Sequence, residues 1–401
     1  MRRLLLGSVL ALVVAAATPL TAAGAAPVGG YIVMLKSSVG APDTVAAQQA
    51  QSRGFVVGHL YRAALKGYSA VMTAADAQAL RADARVASVS PDRPVQLDAQ
   101  VLPTGIDRVD GELSSTASGN GSGSVDVDVA VIDTGIDPSH PDLNVVGGIN
   151  CSTGISYNDG NGHGSHVAGT IAARDNDIGV VGVAPGARLW AVRVLNNQGS
   201  GFTSDIICGV DWVTANASTI EVANMSLSGS GTEPSGAGCA TGDAYHDAIC
   251  SSVAAGVTYA VSAGNQHINA ANRVPAAYDE VMTISALADF DGQPAGRAGP
   301  TCRADEDDTF ANFSNFGADV DLIAPGVCIL STWRGGGYNT ISGTSMASPH
   351  AAGAAALYKS THASATPAQV KSALQAAGTA NWNNADDPDG IKEKLVNVSS
   401  F

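Results

Sequence analysis

From residue 125 onward, short runs of apolar, largely β-branched residues alternate with helix-forming segments. The runs stand at 125–133, 188–195, 221–227, 257–263, 281–287 and 321–325. Strands that are apolar along their whole length need cover on both faces, which a mostly parallel sheet between two layers of helices provides. The alternation therefore predicts a doubly wound α/β fold. Ligands of such sheets bind beyond the carboxyl ends of the strands, so side chains at those ends are the first candidates for a functional site.

A smaller unit precedes this region, over residues 27–98. Strand patterns occur at 30–36, 67–72 and 86–90, and helix-forming segments occur at 43–52 and 73–81. This β-α-β-β-α-β-like order predicts a small ferredoxin-like α+β domain. The last residues of the unit have the composition of an extended linker.

The first 26 residues have the pattern of a secretory signal peptide. Two arginines follow Met1, an apolar run covers 4–14, and small residues lead to Ala23 and Ala26. The run is too short to span a membrane, and no later segment has roughly 18 apolar residues in a row. We therefore expect a protein that is secreted to the extracellular side and has no membrane anchor.

The cysteines predict cross-links within the chain, and the net charge limits the classes of binding partner. An even number of cysteines in an exported chain predicts disulfide bonds. Several connectivities are possible, and pairing in sequence order is the one that loop closure favours. The formal net charge of -15 argues against nucleic acid and is compatible with bound cations. The predicted pairs are Cys151–Cys208, Cys239–Cys250 and Cys302–Cys328.

Three residues form a candidate catalytic set. Asp133 ends an apolar run, His163 lies in a Gly-rich turn, and Ser345 precedes an Ala-rich helical segment. Serine is a weak nucleophile that needs a base; histidine is that base near neutral pH, and a carboxylate holds its tautomer. The chain order Asp, His, Ser is one of those known for this chemistry. Pro349 is expected in the first turn of the helix, which places Ser345 at the helix N-terminus.

An oxyanion formed at such a site needs hydrogen-bond donors. Asn265 follows the strand run 257–263, and its side-chain amide is one candidate donor. The backbone N–H of Ser345 is a second.

Three ordered motifs resemble the signatures of the subtilisin-like serine proteases, the subtilase family, and are closest to its proteinase K type. The motifs are Asp133–Gly135, Gly162–Thr170 and Gly343–His350, and the similarity runs from about residue 99 to the C-terminus. The leading unit resembles the inhibitory, chaperone-like propeptide of that family. The resemblance implies a secreted endopeptidase with the triad Asp133, His163 and Ser345 and the oxyanion donor Asn265.

The same resemblance implies the domain limits and the partners. Residues 1–26 would be the signal peptide, 27–98 a propeptide that occupies the substrate cleft and is removed by self-cleavage, and 99–401 the catalytic domain. No cofactor is expected for the chemistry, although structural calcium is. We expect a monomer that acts on protein and peptide substrates and binds its own propeptide, with neither nucleic acid nor a membrane as partner.

Two segments match the family's substrate-binding walls, which pair with the substrate as extra strands. They contain Ser226, Leu227 and Ser228, and Ser262, Ala263 and Gly264. Ser228 stands where the family usually has glycine, which is expected to narrow the primary pocket or alter strand pairing. Ser165 stands where threonine is usual, outside the chemistry.

Two calcium sites are implied by the resemblance. The loop after residue 173 is polar and acidic, which suits a calcium site. The alternative is that this loop is solvated and binds no ion. The first site would take side chains of Gln100, Asp142 and Asn176 with carbonyls of Arg174, Ile178 and Val180. The second, proteinase K-like site would take Asp321 with carbonyls of Asp279 and Val281.

Arg273 is a candidate specificity residue. Its spacing before Pro275 places it near the floor of the primary pocket, where the family often has a small or neutral residue. A cation there would favour substrates with an acidic side chain before the scissile bond. The expected propeptide junction, Asp98-Ala99, carries such a residue. The alternative role for Arg273 is a surface salt bridge.

Two other functional classes remain. A catalytically inactive subtilase-like binding or inhibitory protein would share the fold. A serine-reactive reagent would distinguish it from an active endopeptidase. An esterase or lipase is disfavoured, because Ser345 lacks the Gly-x-Ser-x-Gly elbow and the triad order differs.

Overall fold

A computed structural model describes residues 28–93, 99–234, 238–294 and 298–401. The signal peptide predicted at 1–26 lies outside the described residues. The chain divides into two compact units, Met1–Gln96 and Leu97–Phe401, so the division falls two residues before the predicted boundary.

The first unit is a four-stranded antiparallel sheet with two helices. The strand order is β2-β3-β1-β4, which is the ferredoxin-like arrangement that the sequence predicted. Buried residues of β1, β3 and α2, including Val33, Tyr68 and Leu80, form its core. The strand β2 had not been identified from the sequence. The elements are β1 (Val28–Leu35), α1 (Pro42–Arg53), β2 (Val56–Tyr61), β3 (Gly67–Thr73), α2 (Ala74–Arg81) and β4 (Val86–Pro91).

The second unit is built around a larger sheet. Its helices are α3 (Thr104–Arg108), α4 (His163–Ala172), α5 (Thr203–Ala215), α6 (Ala244–Ala254), α7 (Thr344–Thr361) and α8 (Pro367–Ala377). Its strands are β5 (Asp128–Asp133), β6 (Val145–Asn150), β7 (Arg188–Arg193), β8 (Val222–Met225), β9 (Gly229–Ser230), β10 (Thr258–Ser262), β11 (Arg273–Val274), β12 (Met282–Ala288), β13 (Thr309–Phe310), β14 (Leu322–Pro325), β15 (Ile329–Trp333), β16 (Gly337–Ile341) and β17 (Lys394–Leu395).

The central sheet is parallel except at one short strand. Its order is β17-β14-β12-β10-β8-β5-β7-β6, and β13 pairs antiparallel with β12. Alternate residues of β5 enter separate cores. Val129 and Val131 pack in the core that contains α4 and α7, and Ala130 and Ile132 pack in the core that contains α5 and α6. The predicted doubly wound α/β fold is confirmed.

Three disulfide bonds join the cysteines in sequence order, as predicted: Cys151–Cys208, Cys239–Cys250 and Cys302–Cys328. Each links residues of the second unit. Among the helices that the structure describes, none is both long and apolar enough to cross a membrane.

Candidate active site

Three neighbouring parallel strands end at one edge of the sheet. Asp133 is the last residue of β5, Ser226 follows β8, and Ala263 follows β10. Because β8 lies between β5 and β10, these residues are brought to adjacent positions. The edge is where ligands of parallel sheets bind.

The Asp133 carboxylate is hydrogen-bonded to the imidazole of His163. His163 Nδ1 lies 2.8 Å and 3.0 Å from the two Asp133 oxygens, and the Asp133 side chain is buried. Burial opposes protonation of His163, but the charge and hydrogen bonds of Asp133 outweigh it and raise the histidine pKa above its ordinary value. The contact fixes the tautomer with the proton on Nδ1 and leaves Nε2 able to accept a proton.

Asp159, which lies outside the sequence motifs, organises the turn that carries His163. Its Oδ1 accepts hydrogen bonds from Thr134 Oγ1 and the Gly162 N–H, at 2.9 Å and 2.8 Å. Its Oδ2 accepts from the backbone and hydroxyl of Ser165 at 2.9 Å and 2.8 Å. Ser165 stands where the family usually has threonine. Its hydroxyl is therefore part of the hydrogen-bond network that positions the His163 imidazole.

Ser345 is the second residue of α7, so it lies at the helix N-terminus as predicted. Pro349 was predicted in the first turn, and this prediction is wrong, because Pro349 is the sixth residue of the helix. A proline there cannot donate to the carbonyl four residues earlier, which belongs to Ser345. That carbonyl accepts a hydrogen bond from Ser226 Oγ instead, at 2.8 Å.

The Ser345 hydroxyl has one hydrogen-bond partner among the described residues. It donates to the carbonyl of Ser226 at 3.3 Å, rather than to the His163 imidazole, in the described part of the chain. Ser226 and His163 both line a cavity of about 450 Å³. Serine hydroxyls change rotamer on the picosecond to nanosecond timescale, and catalytic hydrogen bonds often align only when substrate is bound.

Two donors beside Gly343 have no acceptor within the described residues. Asn265 Oδ1 accepts from the backbone and hydroxyl of Thr344, at 2.8 Å and 2.9 Å, which turns its Nδ2 outward. A Cβ placed on Gly343 would lie 3.4 Å from Asn265 Nδ2 and 3.7 Å from the Ser345 nitrogen. Both donor nitrogens therefore lie close to one another beside Gly343, and a pair of donors at this spacing suits an oxyanion.

The two predicted substrate walls follow β8 and β10. Ser226, Leu227 and Ser228 line the cavity beside His163. Ser262, Ala263 and Gly264 form the other segment, which is held by buried Asn315. The amide of Asn315 donates to the Ala263 carbonyl at 2.8 Å, and its backbone N–H donates to the Gly264 carbonyl at 2.9 Å. Asn315 was not identified from the sequence, since it lies far along the chain and in no motif.

Arg273 lies against the first wall. Its guanidinium donates to Ser228 Oγ at 3.1 Å and to Ser230 Oγ at 3.2 Å, and β11 pairs with β9 at Arg273 and Ser230. Its Nε is buried without an acceptor. No carboxylate of the described residues lies within 4.0 Å of it, so the alternative of a salt bridge finds no partner there.

The residues of the first predicted calcium site lie together. Asp142 is buried and accepts hydrogen bonds from Asn176 Nδ2 at 2.8 Å and from the Val180 N–H at 3.0 Å. Gln100 Nε2 donates to the carbonyls of Arg174 and Val180, at 2.7 Å and 3.2 Å. Burial raises the pKa of Asp142. Ile178 completes the turn through its N–H, 2.7 Å from Asn176 Oδ1. The carboxylate, carbonyl and amide oxygens of this group are of the kind that calcium binds, provided that the Gln100 and Asn176 amides turn so that their oxygens face the ion.

The residues of the second predicted calcium site also lie together, but around a lysine. Lys371 Nζ donates to the carbonyls of Asp279 and Val281, at 3.2 Å and 2.8 Å, and lies 2.8 Å from Asp321 Oδ2. This arrangement does not fit an added calcium ion, because an ammonium already uses the oxygens that would bind it.

Comparisons with known proteins identify the class. A model of the subtilase family matches residues 124–391, and a model of peptidase inhibitor I9 matches residues 30–98. The chain therefore belongs to the subtilase family, as its motifs predicted. It is a subtilisin-like serine endopeptidase that carries an inhibitor-type N-terminal domain.

Individual relatives are subtilisins. The chain is 39% identical over 306 residues to subtilisin DY of Bacillus licheniformis, covering 75% of this chain and 99% of that protein. It is 40% identical over 305 residues to subtilisin E of Bacillus subtilis strain 168, covering 75% of this chain and 72% of that protein. A cold-adapted subtilisin-like serine proteinase of known structure matches with a TM-score of 0.58 and 33% identity, covering 74% of this chain and 98% of that one.

Proposed function

We propose that this chain is a secreted endopeptidase that hydrolyses peptide bonds through Asp133, His163 and Ser345, with a covalent acyl-enzyme intermediate. The observation that carries the proposal is the Asp133–His163 hydrogen bond at the sheet edge where α7 presents Ser345. The carbonyl of Ser345 is fixed by Ser226, so the nucleophile is held at this edge. The proteinase K-like subtype stays a prediction.

In acylation, Ser345 Oγ forms a bond to the carbonyl carbon of the substrate while His163 Nε2 takes the hydroxyl proton. Asp133 stabilises the imidazolium that results. The oxyanion accepts hydrogen bonds from Asn265 Nδ2 and the Ser345 N–H. The carbon–nitrogen bond then breaks, and His163 gives its proton to the leaving amine.

In deacylation, His163 removes a proton from water as the water oxygen attacks the acyl carbon. The bond between the acyl group and Ser345 Oγ breaks, and the proton returns to Ser345 through His163. The free carboxylic acid leaves, and the site is restored. We infer that Ser226–Ser228 and Ser262–Gly264 pair with the substrate backbone as extra strands and form the walls of the primary specificity pocket.

Active-site labelling tests this function against an inactive binding protein. A fluorophosphonate probe should label the secreted, processed protein, and Ser345→Ala and His163→Ala should abolish both labelling and peptide cleavage. Ser251→Ala is a matched control, because Ser251 is exposed on α6 and its hydroxyl donates to the Asp247 carbonyl one turn earlier in the same helix. Labelling that survives in Ser345→Ala would overturn the assignment.

We infer that residues 27–98 assist folding, inhibit the enzyme and are removed by Ser345 itself near Asp98-Ala99. The match to an inhibitor family over residues 30–98 supports this role. Ser345→Ala should leave the precursor uncut, and N-terminal sequencing of the secreted wild-type product should begin near Ala99. The same sequencing tests removal of residues 1–26, and sedimentation tests the expected monomer. Efficient processing of Ser345→Ala would contradict self-cleavage.

We further infer that Arg273 favours an acidic residue before the scissile bond. Its guanidinium contacts Ser228, two residues from the Ser226 carbonyl that accepts from the Ser345 hydroxyl. A charge-assisted hydrogen bond contributes about 1.5–3 kcal/mol, or roughly 10- to 100-fold in relative kcat/KM. Peptides that differ only in Asp, Phe or Leu at this position measure it, in wild type, Arg273→Ala and the exposed control Arg334→Ala. Equal or worse cleavage after Asp in wild type would refute it.

A calcium ion at the first site would be held by Gln100, Asp142 and Asn176 with carbonyls of Arg174, Ile178 and Val180. The ion would supply positive charge to a buried carboxylate that has no lysine or arginine partner within the described ranges. We expect a structural role, since none of these residues contacts His163 or Ser345 in the described part of the chain.

A further inference from the structure

Lys371 lies where the second calcium ion was expected. It projects from α8 toward the segment Asp279–Val281, which precedes β12, and toward Asp321, which precedes β14. Its Nζ contacts the carbonyls of Asp279 and Val281 and one oxygen of Asp321, within 2.8–3.2 Å. The predicted ligands are thus assembled, and a side chain of the same protein occupies their centre.

The contacts use the full bonding capacity of the lysine. An ammonium has three N–H donors, and the three oxygens around it are three acceptors. Calcium would need the same oxygens at about 2.3–2.6 Å, so the ammonium and the ion exclude each other. We propose that Lys371 is a built-in cation that replaces the divalent ion at this site, so that the Asp279–Val281 segment is held without calcium.

The surroundings of Lys371 have the negative charge of a cation site. Asp321 Oδ2 also accepts from the Thr283 N–H at 3.0 Å, and its Oδ1 accepts from Gln375 Nε2 at 3.2 Å, so the carboxylate is fixed. Burial and the charge of Asp279 raise the pKa of Asp321, and burial with the charges of Asp279 and Asp321 raises the pKa of Asp319, whereas the charge of Lys371 lowers both. Removal of the lysine would leave a cluster of carboxylates and carbonyl oxygens without a counter-charge.

The segment is also anchored on its other side. Glu280, between the two carbonyls that bind Lys371, places Oε2 3.0 Å from Nε2 of the buried His246. Upstream, the Ala277 N–H donates to the Arg273 carbonyl at 2.8 Å. Lys371 therefore stabilises the segment Asp279–Val281, which follows the predicted specificity residue Arg273 in the chain. This inference does not depend on the proposed proteolytic function.

Calcium stoichiometry and thermal unfolding of the full chain test the proposal. Bound calcium per chain is measured after equilibrium dialysis, and Tm is measured in EDTA and in excess calcium, with protein treated with a serine-reactive inhibitor. Lys371→Ala should lower Tm in EDTA by about 3–8 °C, since it unpairs a partly buried carboxylate. It should also gain one bound calcium ion, which restores part of that loss. Lys394→Ala is the matched control, because Lys394 is exposed and forms no ion pair within the described residues.

A second variant keeps the proposal testable if Lys371→Ala does not fold. Asp321→Asn in the otherwise wild-type chain should leave the number of bound calcium ions unchanged, because no ion binds there while Lys371 is present. Loss of one calcium ion in Asp321→Asn would overturn the proposal. So would a Lys371→Ala protein that folds, keeps the wild-type Tm in EDTA and gains no calcium.

Discussion

Replacement of Ser226 by alanine tests whether Pro349 and Ser226 together position the nucleophile. The Ser226 hydroxyl donates to the Ser345 carbonyl at 2.8 Å and accepts from Asn224 Nδ2 at 2.9 Å. Both groups lose a partner in Ser226→Ala, and an unsatisfied buried polar group costs about 1–3 kcal/mol. We therefore expect a loss of about 2–4 kcal/mol in the free energy of unfolding.

The companion change is Pro349→Ala, which restores a backbone N–H opposite the Ser345 carbonyl. If the hydroxyl of Ser226 compensates for the missing N–H, the double variant should recover about 1 kcal/mol or more relative to the sum of the single variants. Denaturant unfolding of the four proteins measures this coupling. Ser251→Ala serves as the control, since its hydroxyl makes an exposed contact.

Peptide hydrolysis by the same four proteins gives a second readout. Misplacement of Ser345 should lower kcat, with a smaller change in KM, because the side-chain hydroxyl of Ser226 does not itself pair with substrate. A coupling free energy near zero, with kcat equally low in Ser226→Ala and in the double variant, would refute the reasoning.

Further predictions concern the oxyanion, the base, a buried acid and the metal. Asn265→Ala should lower kcat by about 10²–10³ with little change in KM, measured on a peptide substrate. The kcat/KM should rise with pH as His163 loses its proton, at a pH above the ordinary histidine value, because Asp133 raises its pKa. Burial raises the pKa of Glu393 to about 8, so stability should fall as pH rises from the unfolded pKa toward 8, and Glu393→Gln should flatten this dependence. Asp142→Asn should remove one bound calcium ion and lower Tm.

Each of these predictions has a contrary result. An Asn265→Ala enzyme that keeps the wild-type kcat would remove that amide from the mechanism. A kcat/KM profile whose acid limb lies below about pH 6 would show that Asp133 does not raise the pKa of His163. Equal pH dependence of unfolding in Glu393→Gln and wild type would show that this carboxyl is not protonated in the folded protein. Unchanged bound calcium in Asp142→Asn would exclude the first site.

The sequence predicted the fold well where the pattern is local. The runs ending at Asp133 and at 263 are buried on both faces, so they are apolar throughout and easy to identify as strands of a parallel sheet. Strand β6 (Val145–Asn150) was missed, since it is only half-buried and contains Gly147 and Gly148. The glycines allow close approach to β7, where a Cβ on Gly148 would lie 2.0 Å from the Ala191 carbonyl.

The candidate site was predictable as far as the motifs extend. Asp133, His163 and Ser345 lie in short segments whose residue types suit their proposed roles. Asn315 could not be found in this way, because it acts on a segment 52 residues away through hydrogen bonds that only folding creates. Asp159 lies close to His163 in sequence but outside the three motifs, and its role depends on backbone and hydroxyl contacts that residue types do not reveal. The position of Pro349 was misjudged for a related reason, since its cost in the helix interior is offset by Ser226, over a hundred residues away.

The sequence alone determined the sheet, the two units and the residues able to do acyl-transfer chemistry, because these depend on local periodicity, spacing and residue type. It favoured one pairing of the cysteines, and the structure selected that pairing from several possible ones. The tertiary structure decided how those residues are held and which cation fills the second predicted site. Nothing near Asp321 in the sequence points to Lys371. The packing of α8 against the sheet brings its ammonium to the three oxygens, and a charge brought from elsewhere in the chain can be located only when the fold is known.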